Sequence, residues 1–331
     1  MSRIQLGHTF DNITAKENLL LAWKEFAKGK RDRKDVQEFE LHLMGNLLTL
    51  HRDLKGKMYV HSPYEAFSIS DPKPRSIHKA SVRDRVLHHA IYRLLYPFFD
   101  RTFIADSFSC RKGKGTHKAL RRFEMFAGKV SKNNAQSCWV LKGDVRKFFA
   151  SIDQPILLYL LSRYIPDQNV MWLLQRIIKS FHSGVSGKGL PLGNLTSQLL
   201  VNIYMNEFDQ YVKHQLKATH YIRYADDFVL LSQDKYWLAE QVPQISHFLS
   251  HVLALSLHPD KVFMKTLASG VDFLGWVHFP HHRVLRTATK RRLQRRLKES
   301  AEEATIQSYL GLLSHGNAWQ LASTINTDFS P

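Results

Sequence analysis

The chain has 331 residues, enough to bury a substantial core in two or three lobes. Lysine and arginine total 47 against 29 acidic residues, a formal net charge of +18 that favours a polyanionic partner and electrostatic steering. A membrane-spanning chain is excluded by the lack of a long apolar run. A disulfide or thiolate-metal scaffold is excluded by having only Cys110 and Cys138, and with no signal peptide or lipidation motif a reducing cytoplasm is the expected home.

In chain order, residues 1–57 read as helical. Thr14-x-x-Glu17 fits a capping box ahead of Leu19, Leu20, Trp23, Phe26 and Ala27, which share one helical face. A basic break, Gly29 to Asp35, separates this from a second stripe through Val36, Phe39, Leu43, Leu47 and Leu54. The break reads as a solvated loop, with RNA contact as the alternative. Residues 67–77 are two extended pieces around the stiff turn Asp71-Pro72-Lys73-Pro74, and a helix begins near Val82. Arginine on such a turn can fork onto phosphate oxygens. Phe108 to Lys118 is glycine-rich and basic and opens a helix through Leu120, Phe123 and Phe126. No G-x-x-x-x-G-K-[ST] run occurs here or near Gly189, so a P-loop NTPase is excluded.

Ser137 to Val145 is an apolar strand ending in Asp144, followed by Phe148-Phe149 and then helices over 156–178. Gly189 to Gln198 is a glycine-bearing turn that opens a further helix. That helix buries Leu200, Ile203, Tyr204, Phe208, Tyr211 and Val212, and carries an amide stripe at Asn194, Gln198, Asn202 and Asn206. The amides could read base or sugar edges; a wet face is the plainer reading, preferred for Asn206. Tyr221 to Leu231 places Ala-Asp-Asp between two β-branched and aromatic runs, a strand, tight turn and returning strand. The turn lets both carboxylates approach one point, where like charges repel unless a cation intervenes or one is protonated. Hard oxygen ligands there suit magnesium. Taken alone, an acidic pair between strands is usually a solvated loop. After a long helix come Leu257 to Val262, with Lys261, then Phe273-Leu274-Gly275-Trp276. A helix over 288–304 follows with Leu293, Leu297 and Ala301 inside and Lys290, Arg291, Arg292, Arg295, Arg296 and Lys298 outside.

An aspartate-ended strand, a Gly-turn-helix and a Tyr-x-Asp-Asp hairpin, in that order, resemble the palm of a reverse transcriptase, and the pattern extends over residues 50–315. Leu192-Gly193-x-x-x-Ser197-Gln198 replaces the commonest bacterial Gln-Gly-x-x-x-Ser-Pro. With the Lys73-Pro74-Arg75 turn and the late Ser314-His315-Gly316-Asn317-Ala318-Trp319 segment, this resembles the reverse transcriptases of diversity-generating retroelements, within the prokaryotic group II intron-like family.

The resemblance implies an α+β, right-hand polymerase fold. Its parts would be an N-terminal helical extension over 1–57, fingers over 58–137, a palm over 138–282 with fingers helices inserted at 155–188, and a short helical thumb over 283–331. It implies RNA-directed DNA synthesis with two Mg²⁺ ions (Mn²⁺ as a substitute) held by Asp144, Asp226 and the Val145 carbonyl, with Asp227 adjacent. Lys261 would protonate the departing pyrophosphate. Arg75 and Lys73 would contact the triphosphate, and Phe149 would block a 2′-hydroxyl. Leu192, Gly193 and Gln198 would line the nascent base pair; Gly275 and Trp276 would grip the primer; Arg292, Arg295 and Arg296 would follow duplex phosphates. Implied partners are template RNA and the RNA/cDNA duplex, deoxynucleoside triphosphates, and a small basic accessory oligomer (accessory variability protein), with no membrane. Copying would be error-prone at template adenines. The alternatives are a retron or antiphage-defence reverse transcriptase and a non-catalytic RNA-binding protein on a palm fold. A group II intron enzyme fits less well, because no maturation, DNA-binding or endonuclease segment is expected beyond the thumb.

Overall fold

The computed structural model describes residues 4–70, 74–299 and 302–329; Lys73 and Ala301 lie outside the described residues. Helices and antiparallel sheets make an α+β chain that forms two compact units. One comprises residues 1–105, 145–211 and 247–256, and the other 106–144, 212–246 and 257–331.

The first unit begins with four helices, Phe10–Thr14, Lys16–Ala27, Lys34–Leu41 and Leu43–Lys55. Of the expected stripe, Leu19, Trp23, Phe26 and Ala27 are buried and Leu20 is half-buried. The Thr14 capping box is corrected. Thr14 sits in the last turn of the first helix and its hydroxyl donates back to the Phe10 carbonyl at 3.0 Å, so the box is formed upstream by Thr9 and Asn12. An exposed hairpin follows, β1 (Glu65–Ile69) against β2 (Arg75–Lys79), with Ile69 opposite Arg75. The helix Val82–Asp100 starts on a Ser81 cap, its hydroxyl accepting from the Asp84 amide. The helices Gln154–Ser162 and Gln168–Lys179 follow, and Leu195–His214 runs from this unit into the next.

That last helix corrects the amide stripe. Asn194, Asn202 and Asn206 are buried, and their side chains serve internal hydrogen bonds: Asn194 donates to the His78 carbonyl, Asn202 to the Gln198 carbonyl, and Asn206 accepts from Gln210. From Leu199 to Asn206 every residue of this helix is buried, so the polar residues there must find partners inside.

The second unit holds a four-stranded antiparallel sheet in the order β4-β5-β3-β6: β3 (Trp139–Asp144), β4 (Tyr221–Tyr224), β5 (Asp227–Ser232) and β6 (Phe263–Thr266). Beside it lies a three-stranded sheet, β7 (Val271–Phe273), β8 (Trp276–His278) and β9 (Arg283–Leu285). Alternation assigns the faces. Val140, Lys142 and Asp144 of β3 share one with Asp227, Val229 and Leu231 of β5, since these pair directly across the strands. Val140, Val229 and Leu231 join Phe123 and Phe126 of the helix Thr116–Val130, and Phe273, Trp276 and Leu293, in one apolar core. The other face carries Leu141, Leu230 and Phe228. A Cβ on Gly143 would stand 2.2 Å from the Phe228 ring, so glycine is what lets that ring cross β3 next to Asp144.

The expected helix over 288–304 is shorter: Thr287–Glu299 ends there, with Leu293 and Leu297 buried, and separate helices Glu303–Leu313 and Trp319–Phe329 follow. Among the described residues no helix is long and apolar enough to cross a membrane.

Candidate active site

Two strands bring the first and last of the three carboxylates together. Asp144 is the final residue of β3 and Asp227 the first of β5, and they are direct cross-strand partners; Asp226 occupies the turn between β4 and β5. Asp144 is 7 % exposed, and Asp226 and Asp227 are half-buried. Burial, reinforced by the charges of Asp227 and Asp144, pushes the Asp226 carboxyl up to about 6. Burial also raises Asp227, with Lys142 pulling the other way.

Two ammonium groups answer this negative charge. Lys261, in the short turn Pro259–Lys261, places Nζ 2.9 Å from Asp144 Oδ1. The turn is itself tied down by the His258 amide, which donates to the Asp144 carbonyl at 2.7 Å. Lys142, on the same face of β3 two residues before Asp144, reaches Asp227 Oδ1 at 3.4 Å and donates to the Asp272 carbonyl at 3.2 Å. As the side chains stand, no three carboxylate, imidazole or thiolate groups among the described residues form a metal cage. The donors are nonetheless hard oxygens whose mutual repulsion a divalent cation would relieve, so the residues fit such an ion.

The turn geometry has its own support. Ala225 takes a left-handed φ of 55°, uncommon for a residue with a Cβ. Arg223, 0 % exposed in β4, donates from one guanidinium nitrogen to the Ala225 carbonyl and from another to Ser107 Oγ, both at 3.0 Å. Ser107 also forms a parallel bridge to Arg223, which extends the pairing of β4 by one short segment.

The remaining sequence candidates divide by unit. In the first, Arg75 is exposed at the start of β2, and β2 is joined to the 192–194 turn by the His78 amide donating to the Leu192 carbonyl at 3.0 Å. A Cβ on Gly193, φ 106°, would meet Ile77 at 2.8 Å, so this glycine permits the close approach of strand and turn. Gly193 and Gln198 line a cavity of about 410 Å³ with Ile77, Lys79 and Arg85. Leu192 and Phe149 are half-buried, Phe149 with its ring edge-on to Phe148, and the Val145 side chain is buried directly after Asp144.

In the second unit, Leu274 and Gly275 both have positive φ, the signature of a two-residue hairpin turn, and a Cβ added to Gly275 would meet nothing within 4 Å. Trp276 is corrected. It is 1 % exposed, its ring is packed where a Cβ on Gly316 would stand 2.1 Å away, and it belongs to the apolar core with Phe273 and Leu293, so its ring is not an exposed contact surface. Arg295 and Arg296 are exposed and Arg292 half-buried on Thr287–Glu299.

With this arrangement in view, residues 70–278 match the family model described as "Reverse transcriptase (RNA-dependent DNA polymerase)". The chain belongs to the reverse transcriptase family. It is similar to Protein YkfC of Escherichia coli (strain K12), 26% identical over 258 residues, covering 67% of this chain and 66% of that protein. It is also similar to the group II intron-encoded protein LtrA of Lactococcus lactis subsp. cremoris, 22% identical over 300 residues, covering 68% and 48%. A third relative is the mitochondrial nuclear intron maturase 1 of Arabidopsis thaliana, 28% identical over 136 residues, 38% and 18%. The chain thus spans just under two thirds of YkfC and about half of LtrA.

Three polar residues at this reverse transcriptase-family site escaped the sequence reading. Lys142 and Arg223 are charged residues inside apolar strand runs, a signal the sequence did contain; Asp272 contributes its backbone carbonyl, for which no sequence signal exists.

Proposed function

We propose that this chain is an RNA-directed DNA polymerase whose reacting groups gather at the paired ends of β3 and β5. The observation that carries the reading is the direct cross-strand pairing of Asp144 with Asp227, with Asp226 in the intervening turn and its carboxyl raised to about 6. Asp144 and Asp226 would hold two Mg²⁺ ions, with the Val145 carbonyl and Asp227 at hand. Ions held by these residues would supply a lowered pKa for a primer 3′-hydroxyl and neutralisation of the leaving oxygen. Lys261, whose ammonium pairs with Asp144 at 2.9 Å, is the candidate donor of a proton to departing pyrophosphate. In this reading Arg75 clamps the triphosphate, Phe149 excludes a 2′-hydroxyl, and Gln198 and Gly193 are the residues assigned to the new base pair. Gly275, together with Arg292, Arg295 and Arg296, guides primer and duplex. These parts correspond to a palm holding the carboxylates, fingers carrying Arg75, and a thumb carrying the basic helix. Template RNA, the RNA/cDNA duplex and deoxynucleoside triphosphates are the substrates this implies.

Purified Asp144→Asn and Asp226→Asn proteins are expected to fold and to lose Mg²⁺-dependent primer extension on an RNA template. Undiminished extension by either one removes the assignment.

The finer reading is a diversity-generating enzyme working with a small basic accessory oligomer. What supports it is Leu192, an apolar branched side chain beside the β2 strand, at the place where the Gln-Gly-x-x-x-Ser-Pro pattern that this segment resembles has glutamine. A site without that polar contact checks base-pair geometry less strictly. Sequencing cDNA copied from mixed-base RNA is expected to show errors concentrated at template adenines. Equal error rates at all four bases would return the chain to the retron or defence alternatives.

A further inference from the structure

Adjacent carboxylates of the Asp226-Asp227 turn have unlike surroundings. Lys142 is 7 % exposed, on a sheet face that it shares with the apolar Val140, Val229 and Leu231 and with Asp144 and Asp227, and its ammonium has two oxygen partners: Asp227 Oδ1 and the Asp272 carbonyl. Lys261, which pairs with Asp144, keeps 40 % of its side chain in contact with solvent. A long, exposed lysine can swing away from its carboxylate at little cost, whereas a buried ammonium that left Asp227 would strand charge in an apolar setting. One pair is therefore exchangeable and the other permanent.

The permanent pair also reaches further. Asp272 is the middle residue of β7, in the hairpin whose turn is Leu274-Gly275, and its carboxylate accepts from Arg286, the residue just before the basic helix Thr287–Glu299. The Arg286 amide donates in turn to the Gly275 carbonyl at 3.1 Å. Lys142 is thus the side chain through which the carboxylate turn is joined to the β7–β8 hairpin.

From this geometry we infer that Lys142 is a positioning residue: it holds Asp227 as a fixed counter-charge, so that Asp144 and Asp226 supply the ion-binding oxygens while Asp227 and the β7–β8 turn stay in register. Lys261 is the ammonium displaced when divalent ions enter; Lys142 stays. The inference rests on the polymerase reading above and divides labour between carboxylates which that reading leaves adjacent.

The test uses the full chain as wild type, Lys142→Met, Lys142→Arg, Asp227→Asn and the double variant Lys142→Met/Asp227→Asn. Mg²⁺ binding is measured by calorimetry without nucleic acid, and kcat and KM by primer extension. Removing the buried charge releases Asp227 into the ion site, so Lys142→Met is expected to bind Mg²⁺ about tenfold more tightly. It should lose kcat by at least about tenfold with little change in KM for the nucleotide, as displaced reacting groups do. Lys142→Arg is expected to restore both. In the Asp227→Asn background, Lys142→Met should leave Mg²⁺ affinity where Asp227→Asn alone puts it, because the two act as one unit. The double variant also buries no unpaired charge, so it is the variant to read if Lys142→Met alone does not fold. Unchanged Mg²⁺ affinity in Lys142→Met, or the same change with and without Asp227, overturns the inference while wild-type synthesis leaves the polymerase reading standing. A wild type that neither binds Mg²⁺ nor extends a primer removes both.

Discussion

Asp84 in the first unit and Asp226 in the second are both withdrawn from water, and their carboxyls move in opposite directions. Asp84, with its side chain 0 % exposed, would be raised by burial alone. The charge of His61 and hydrogen bonds from Ser81, Tyr59 and the Ser62 amide outweigh that and hold it below the usual carboxylate range. Asp226 is half-buried, and burial together with the charges of Asp227 and Asp144 raises it to about 6. A carboxylate buried to hold a fold is surrounded by donors. One buried to do chemistry is surrounded by like charge, and the fold carries the cost.

Removing each group breaks the comparison in opposite ways. Asp226→Asn is expected to cut primer extension at least about a thousandfold, the scale of losing a metal-held reacting group, with the fold retained. Asp84→Ala leaves Tyr59, Ser81, the Ser62 amide and His61 without their acceptor, so it should destabilise the chain by about 3 kcal/mol or more. Denaturant unfolding measures this, and a change below about 1 kcal/mol would mean Asp84 is not the structural counterpart described.

A second change tests whether the site depends on its backbone frame as well as its charges. Gly143→Ala adds a methyl against the Phe228 ring, which must move or push β3 from β5. The expected cost is about 2 kcal/mol of stability, accompanied by reduced extension because Asp144 is the next residue. Wild-type stability and activity together would show that the ring yields freely.

The smallest effect sharpens the comparison through pH. In metal-free buffer the folded chain holds the Asp226 proton more tightly than the unfolded chain does. This contribution therefore favours the fold most below about pH 4 and is lost as pH rises through about 6. At pH 8 Asp226→Asn should be more stable than wild type by about 1–2 kcal/mol, discounted for partial exposure, and the gap should close towards pH 4. Asp84 has the opposite sign: its stabilisation is present above the ordinary carboxylate range and fades as pH falls through its depressed value. Thermal unfolding at both pH values separates the two, and an Asp226→Asn variant no more stable than wild type at pH 8 would show that the strain is absent.

Much of this was legible before any coordinates. The apolar runs around Asp144 and around Asp226-Asp227 and the stripe Leu19, Trp23, Phe26 act through strand or helix periodicity, and the turn glycines at 193 and 275 through their backbone freedom, all of them local properties. Trp276 and the amides Asn194, Asn202 and Asn206 misled because an aromatic after a turn, or an asparagine on a helix, looks the same facing a ligand as facing a core. The Thr14 box failed for a related reason: a short helix upstream took that threonine into its own last turn.

By itself, then, the amino-acid order determined which strands would end in carboxylates and how the chain would present them, since alternation and turn chemistry operate over a few residues. Only the tertiary structure decided that Lys142 meets Asp227, that Lys261 meets Asp144, and that Arg223 holds the Ala225 carbonyl. The first two pairings join residues 85 and 117 positions apart in the chain, and their strength depends on how much water the surrounding elements exclude, a quantity that no local pattern encodes.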